Sequence, residues 1–109
     1  MTKPPKETSE TGTIRIAFSG ELINKRVAML DQEVALRYSD GINQNLVLDL
    51  TGVSKIDSRG ITFCIRLFNE LKKRNLKLTI ETGKKIYNFF NQVNLIKMLD
   101  IRLVGETSN

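Results

Sequence analysis

The residues best placed to do chemistry form one short run, Asp57-Ser58-Arg59-Gly60. A carboxylate, a hydroxyl and a guanidinium follow one another and give way to a residue with no side chain. An apolar stretch, Leu46-Val47-Leu48-Asp49-Leu50, lies upstream, and Ile61, Cys64, Ile65, Phe68 and Leu71 recur downstream at helical spacing. The run therefore marks a joint from strand to helix, with a hydroxyl at the helix N-terminus. Two uses of Ser58 stay open. A serine there caps a helix, worth about 1 kcal/mol of stability alone. The same hydroxyl can take a phosphoryl group, which brings roughly −1.5 to −2 charge and three acceptor oxygens. Helix N-termini tolerate such an anion, so the fold should survive it. A protein docked over the turn would instead meet a desolvated dianion beside Asp57. Gly60 is expected to keep the first helical turn bare, so that another surface can come close.

Other chemistries have little to stand on. The chain contains no histidine and a single cysteine, Cys64. Ser–His and Cys–His nucleophile pairs are thereby excluded, as is an internal disulfide, and a zinc site is not expected. Cys64 falls on an apolar helical face and reads as a buried, inert thiol. There is no glycine-rich phosphate loop and no cluster of carboxylates, so no enzymatic activity and no cofactor is expected. The 17 Lys and Arg residues exceed the 12 Asp and Glu residues, for a net charge of +5. These cations are scattered. The densest group, Lys72-Lys73-Arg74, sits at a predicted helix C-terminus, where cations offset the helix dipole. Interleaved aromatics are lacking, so nucleic acid is not the expected partner. No apolar run reaches the ~20 residues of a membrane helix, and a cytoplasmic protein is the expectation.

The elements that must position the turn can be read in order. At 109 residues the chain makes one domain. Residues 1–12 read as a flexible polar tail, 13–104 as the domain and 105–109 as a second tail. Ile14, Ile16 and Phe18 alternate as a half-buried strand that Gly20 ends. Residues 24–39 form a helix with Val27, Leu30, Val34 and Tyr38 on one face and Asn24 as its cap. Residues 46–50 form a strand buried on both faces, at the centre of a mostly parallel sheet. Residues 51–56 form a turn. Residues 76–81 make a third strand, Ile86 to Val93 a third helix with Asn94 as its left-handed stop, and 101–104 a last strand. The alternation argues an α/β domain with right-handed crossovers.

With these residues in view, the chain resembles the STAS domains, and among them the bacterial anti-sigma factor antagonists. The likeness rests on Asp57-Ser58-Arg59-Gly60-Ile61 after Leu46 to Leu50 and Val53, on Ser19-Gly20-Glu21-Leu22, and on Asn94 to Leu99. It implies a mixed sheet of four or five strands with helices mainly on one side. It implies that the unphosphorylated protein binds an anti-sigma factor, itself a serine kinase with a GHKL-type ATP site, and frees the sigma factor. The kinase would phosphorylate Ser58 and so be released, and a PP2C-type phosphatase would reset the switch. The docking surface implied comprises Gly20, Glu21, Ile23, Asn24, Asp57, Arg59, Gly60 and Thr62. Three of these depart from the family pattern. Ile23 stands where aspartate is usual, Arg59 where a small residue is usual, and Thr62 where glycine is common. Residues 1–11 offer no clear counterpart of the family's extra N-terminal strand. An alternative within the family is a constitutive subunit of another complex, such as a lipid-transport ABC system.

Overall fold

The computed structural model describes residues 6–10, 12–37 and 44–104. The elements run β1 (Lys6–Glu10), β2 (Thr13–Leu22), α1 (Asn24–Arg37), β3 (Asn45–Ile56), α2 (Ser58–Lys73), β4 (Leu78–Thr82), α3 (Lys84–Gln92) and β5 (Asp100–Leu103). The strands form one sheet in the order β1-β2-β3-β4-β5. β1 is antiparallel to β2, and the other pairs are parallel. Each of β2, β3 and β4 is followed by a helix and then by its spatial neighbour on the same side. Crossovers of one hand that always step in one direction must put all their helices on one face.

The burial pattern agrees. Ile14, Ile16 and Phe18 of β2, Leu46, Leu48 and Leu50 of β3, and Leu78 and Ile80 of β4 are buried under the helices. Phe63, Cys64, Leu67 and Leu71 of α2 and Ile86 and Phe90 of α3 meet them. Phe18 and Phe63 pack edge to face with centroids 5.9 Å apart, which ties β2 to the centre of α2. The other face of the sheet is open. Val47 and Asp49 are only half-buried there, so β3 is not covered on both sides as its apolar run suggested. Asp49 belongs on that face: it accepts from the Thr51 hydroxyl at 2.6 Å and from Arg15 at 3.4 Å. Arg15 reaches over β3 and also forks onto Glu81 of β4, at 2.5 and 3.3 Å.

Three boundaries differ from the sequence expectation. Lys6–Glu10 forms an edge strand where a tail was expected, and it supplies the N-terminal strand that seemed absent. It pairs through its backbone in strict antiparallel register, Glu7 against Ile16 and Ser9 against Ile14. An edge strand needs no apolar alternation to do this. Gly20 does not end β2. Its φ of +88° is free for glycine, and the chain slips register and continues to Leu22. The strand beside it likewise extends past the expected turn, with Gly20 against Val53, Glu21 against Lys55 and Leu22 against Ile56. The stops of α2 and α3 are carried by asparagine in the left-handed region. Asn75 has φ +58° and Asn94 has φ +61°. In each case the next residue's N–H turns back to the helix, Leu76 to the Leu71 carbonyl at 2.8 Å and Leu95 to Phe90 at 3.0 Å. Tyr38 lies outside the described residues.

Candidate functional site

A single residue separates each helix from the strand before it, so the starts of α1, α2 and α3 share the carboxyl end of the sheet. In open α/β sheets this end is where function collects. The joint between β3 and α2 carries Ser58. Asp57, not Ser58, is the N-cap. It is extended, with φ −118°, and its Oδ1 accepts from the N–H groups of Arg59 at 3.0 Å and Gly60 at 3.1 Å. Ser58 is the first helical residue and is exposed. Its hydroxyl makes no hydrogen bond among the described residues, while its carbonyl accepts from the Thr62 hydroxyl at 2.9 Å. The capping duty that would have explained a serine here is thus discharged by its neighbour.

Gly60 has a different reason from the one its sequence context suggests. It is buried. A Cβ at this position would stand 2.7 Å from the Leu22 carbonyl oxygen and 2.5 Å from Ile56 Cγ1. The surface that comes close to the first turn of α2 belongs to the chain itself. The end of β2 is locked against the start of α2, and the Asp57 N–H reaches the same Leu22 carbonyl at 3.4 Å.

The remaining predicted residues gather around this joint. Glu21 is exposed at the end of β2, and Gly20 just before it accepts from the Ser54 hydroxyl at 3.3 Å. Ile23 is half-buried, and its carbonyl accepts from the N–H of Arg26 at 3.1 Å as α1 begins at Asn24. Arg59 and Thr62 are exposed on α2. Ser58, Arg59 and Thr62 line a groove of about 240 Å³ between α1 and α2, with Val27, Ala28 and Arg66. Ala28 and Arg66 were not singled out from sequence. The signal for Arg66 was present, since Ser58, Thr62 and Arg66 follow at intervals of four along one helix face. Arg66 is held by an ion pair to Asp31 of α1. Met29, next to Ala28 on α1, is 61% exposed.

Among the described residues no group of His, Cys, Asp or Glu is arranged to hold a metal ion, and no helix is long and apolar enough to cross a membrane. Cys64 lies fully buried under α2, and burial pushes its thiol up to about 12 from an ordinary 9.0. It is no nucleophile at neutral pH. The arrangement is a two-layer α/β scaffold, a sheet under helices, that presents an exposed serine beside a groove.

The comparisons with known proteins give that scaffold its family. The family model of the STAS domain matches residues 5–105, and the chain belongs to that family. No curated protein matches the chain. Among solved structures, it is similar to a candidate anti-sigma factor antagonist of Thermotoga maritima, with a TM-score of 0.82 at 15% identity over 90% of this chain and 85% of that one. It is similar to an anti-sigma factor antagonist of Mycobacterium paratuberculosis, with a TM-score of 0.76 at 20% identity over 91% and 84% of the two chains. It is also similar to the anti-sigma factor antagonist SpoIIAA in its unphosphorylated form, with a TM-score of 0.76 at 16% identity over 94% and 90%. At such identities the shared property is the fold.

Proposed function

We propose that this protein is an anti-sigma factor antagonist that works by partner switching. Its unphosphorylated form binds an anti-sigma factor that is also a serine kinase of the GHKL type, and the sigma factor is set free. The kinase transfers the γ-phosphoryl group of ATP to the Ser58 oxygen. The bond to the β-phosphate breaks, ADP leaves, and the hydroxyl proton passes to a base on the kinase. The modified protein lets go, and a PP2C-type phosphatase hydrolyses the phosphoserine. The protein acts as a cytoplasmic binding partner and performs no catalysis of its own.

One observation carries the reading: Asp57 caps α2, and this leaves the Ser58 hydroxyl exposed and without a structural task. A phosphate at that position sits at the positive end of a sixteen-residue helix, where it is tolerated. The likeness in fold to anti-sigma factor antagonists supports the choice of partner. The test is to incubate the protein with ATP and each anti-sigma kinase of its own genome, and to locate phosphate by mass spectrometry. Phosphate at Ser58, with kinase bound by Ser58→Ala and not by Ser58→Asp, is the expected result. Phosphate found only at other residues would overturn it. Co-purification with a transporter ATPase regardless of Ser58 modification would instead favour a constitutive subunit.

A further inference from the structure

The carboxyl end of the sheet carries a group of exposed cations at its helix starts, and a second group, Lys72, Lys73, Lys77 and Lys97, is likewise exposed and without an ion pair among the described residues away from that end. Lys25 is the second residue of α1, Arg59 the second of α2, and Lys84 and Lys85 the first two of α3. Lys55 precedes them at the end of β3. All are exposed, and none makes an ion pair among the described residues. The acids of the open sheet face, by contrast, are matched. Asp49 and Glu81 are held by Arg15, and Asp100 by Arg102. At the cationic end the described acids are Glu21 and Asp57, and Asp57 is engaged in capping α2.

Stability does not explain these positions. A helix dipole favours acids in the first turn and cations in the last. Lys72 and Lys73 in the last turn of α2 follow that rule. The cations at the helix starts contradict it, and neither α2 nor α3 has an acidic residue in its first turn. The same end holds two grooves with apolar floors. Besides the one beside Ser58, a groove of about 340 Å³ runs between β3 and α3, where Lys55 and Lys85 flank Ile56, Ile86 and Phe89.

We infer that this end docks an acidic protein surface, and that its cations, Arg59 and Lys85 foremost, select that partner. The inference rests on the partner-switching reading and gives it a sign. An acidic partner drawn to a basic face is the one a phosphate on Ser58 would repel most directly. The phosphate would also engage Arg59 and withdraw it from the partner.

The probe is a short oligoglutamate peptide, titrated into the unphosphorylated protein and followed by amide NMR, with a DNA duplex of equal charge as competitor. Shifts should cluster at residues 20–28, 54–62 and 83–89. Lys55→Glu with Lys85→Glu should weaken the peptide by about tenfold or more, and Ser58→Asp by about threefold, both effects shrinking at high salt. Lys85→Glu places an acid at a helix start and should by itself melt no lower than the wild type, whereas Lys55→Glu sets a second carboxylate opposite Glu21 across the sheet and should lower the melting point slightly, so Lys55→Gln with Lys85→Glu serves as the folded control. Lys72→Glu with Lys73→Glu should change the affinity by less than about twofold. Shifts spread evenly onto residues 72–77 and 97, or a Lys55/Lys85 variant that binds as before, would overturn the inference. So would tighter binding of the duplex to the same residues, which would make the face a nucleic-acid site. No kinase enters this experiment, so its failure leaves phosphorylation of Ser58 standing, and the converse also holds.

Discussion

Replacing Gly60 by alanine tests whether this residue serves the protein's own packing or a partner's approach. The added Cβ would lie 2.7 Å from the Leu22 carbonyl oxygen and 2.5 Å from Ile56 Cγ1. Ile56 can swing a flexible side chain away, although it is buried and has little room. The Leu22 carbonyl is backbone at the end of a paired strand, so relief requires α2 to lift from β2. Overpacking of this kind costs typically 1–3 kcal/mol, and a contact with backbone belongs at about the upper end. Alanine returns up to about 1 kcal/mol through helix propensity. The expected net loss is about 2 kcal/mol. With an m-value of roughly 1–3 kcal/mol/M, the urea midpoint should fall by about 1 M with an unchanged slope. A midpoint equal to or above that of the wild type would refute the argument. Gly60 would then be there to leave the surface bare, as its sequence context first suggested.

Asp57→Ala removes the acceptor of two backbone N–H groups and should cost about 1–2 kcal/mol, read as a lower urea midpoint. Asp57→Ser should recover most of that loss. Ser58→Asp and Ser58→Ala should each leave stability within about 0.5 kcal/mol, because the side chain is exposed and unbonded. A variant at Ser58 that melts the domain would show that the hydroxyl is structural. Cys64 titrates near 9 when unfolded and near 12 when folded, so between these values the unfolded chain holds fewer protons. Its contribution is therefore complete below about pH 9 and is lost as pH rises towards 12. The loss is at most about 4 kcal/mol, and the slope attributable to it should vanish in Cys64→Ala. Equal alkaline slopes in the two proteins would show that Cys64 is not what destabilises the wild type.

The sequence displayed the α/β alternation, the inner residues of β2 and β4, and the seat of Ser58 because each depends on local periodicity. It displayed less of what depends on the backbone of a neighbouring strand. Thr51, Gly52, Ser54 and Lys55 read as a turn, yet β2 holds this segment in the sheet through two shifts of register that no single strand announces. Residues 6–10 read as a tail for the same reason, since their place is set by the edge of β2. The apolar run of β3 suggested burial on both faces. The structure shows instead that Val47 is half-covered while Arg15 bridges Asp49 and Glu81 across the open side. Gly60 was noticed, but its reason lay in Leu22, thirty-eight positions away in the chain and invisible to any local pattern.

The division of labour between adjacent residues would let one turn serve both the fold and the proposed switch. Asp57 satisfies the first N–H groups of α2, and Gly60 seats the helix against Leu22. Neither task uses the Ser58 side chain. A charge placed on Ser58 therefore changes what the surface attracts without changing what holds the helix in place. Were the serine itself the cap, modification would act on the helix start and on the partner together, and the two effects could not be tuned separately. The single-residue links after β2, β3 and β4 extend the same logic. They bring three helix starts to one end of the sheet, so the charge of one residue is felt against a basic surface to which every helix contributes.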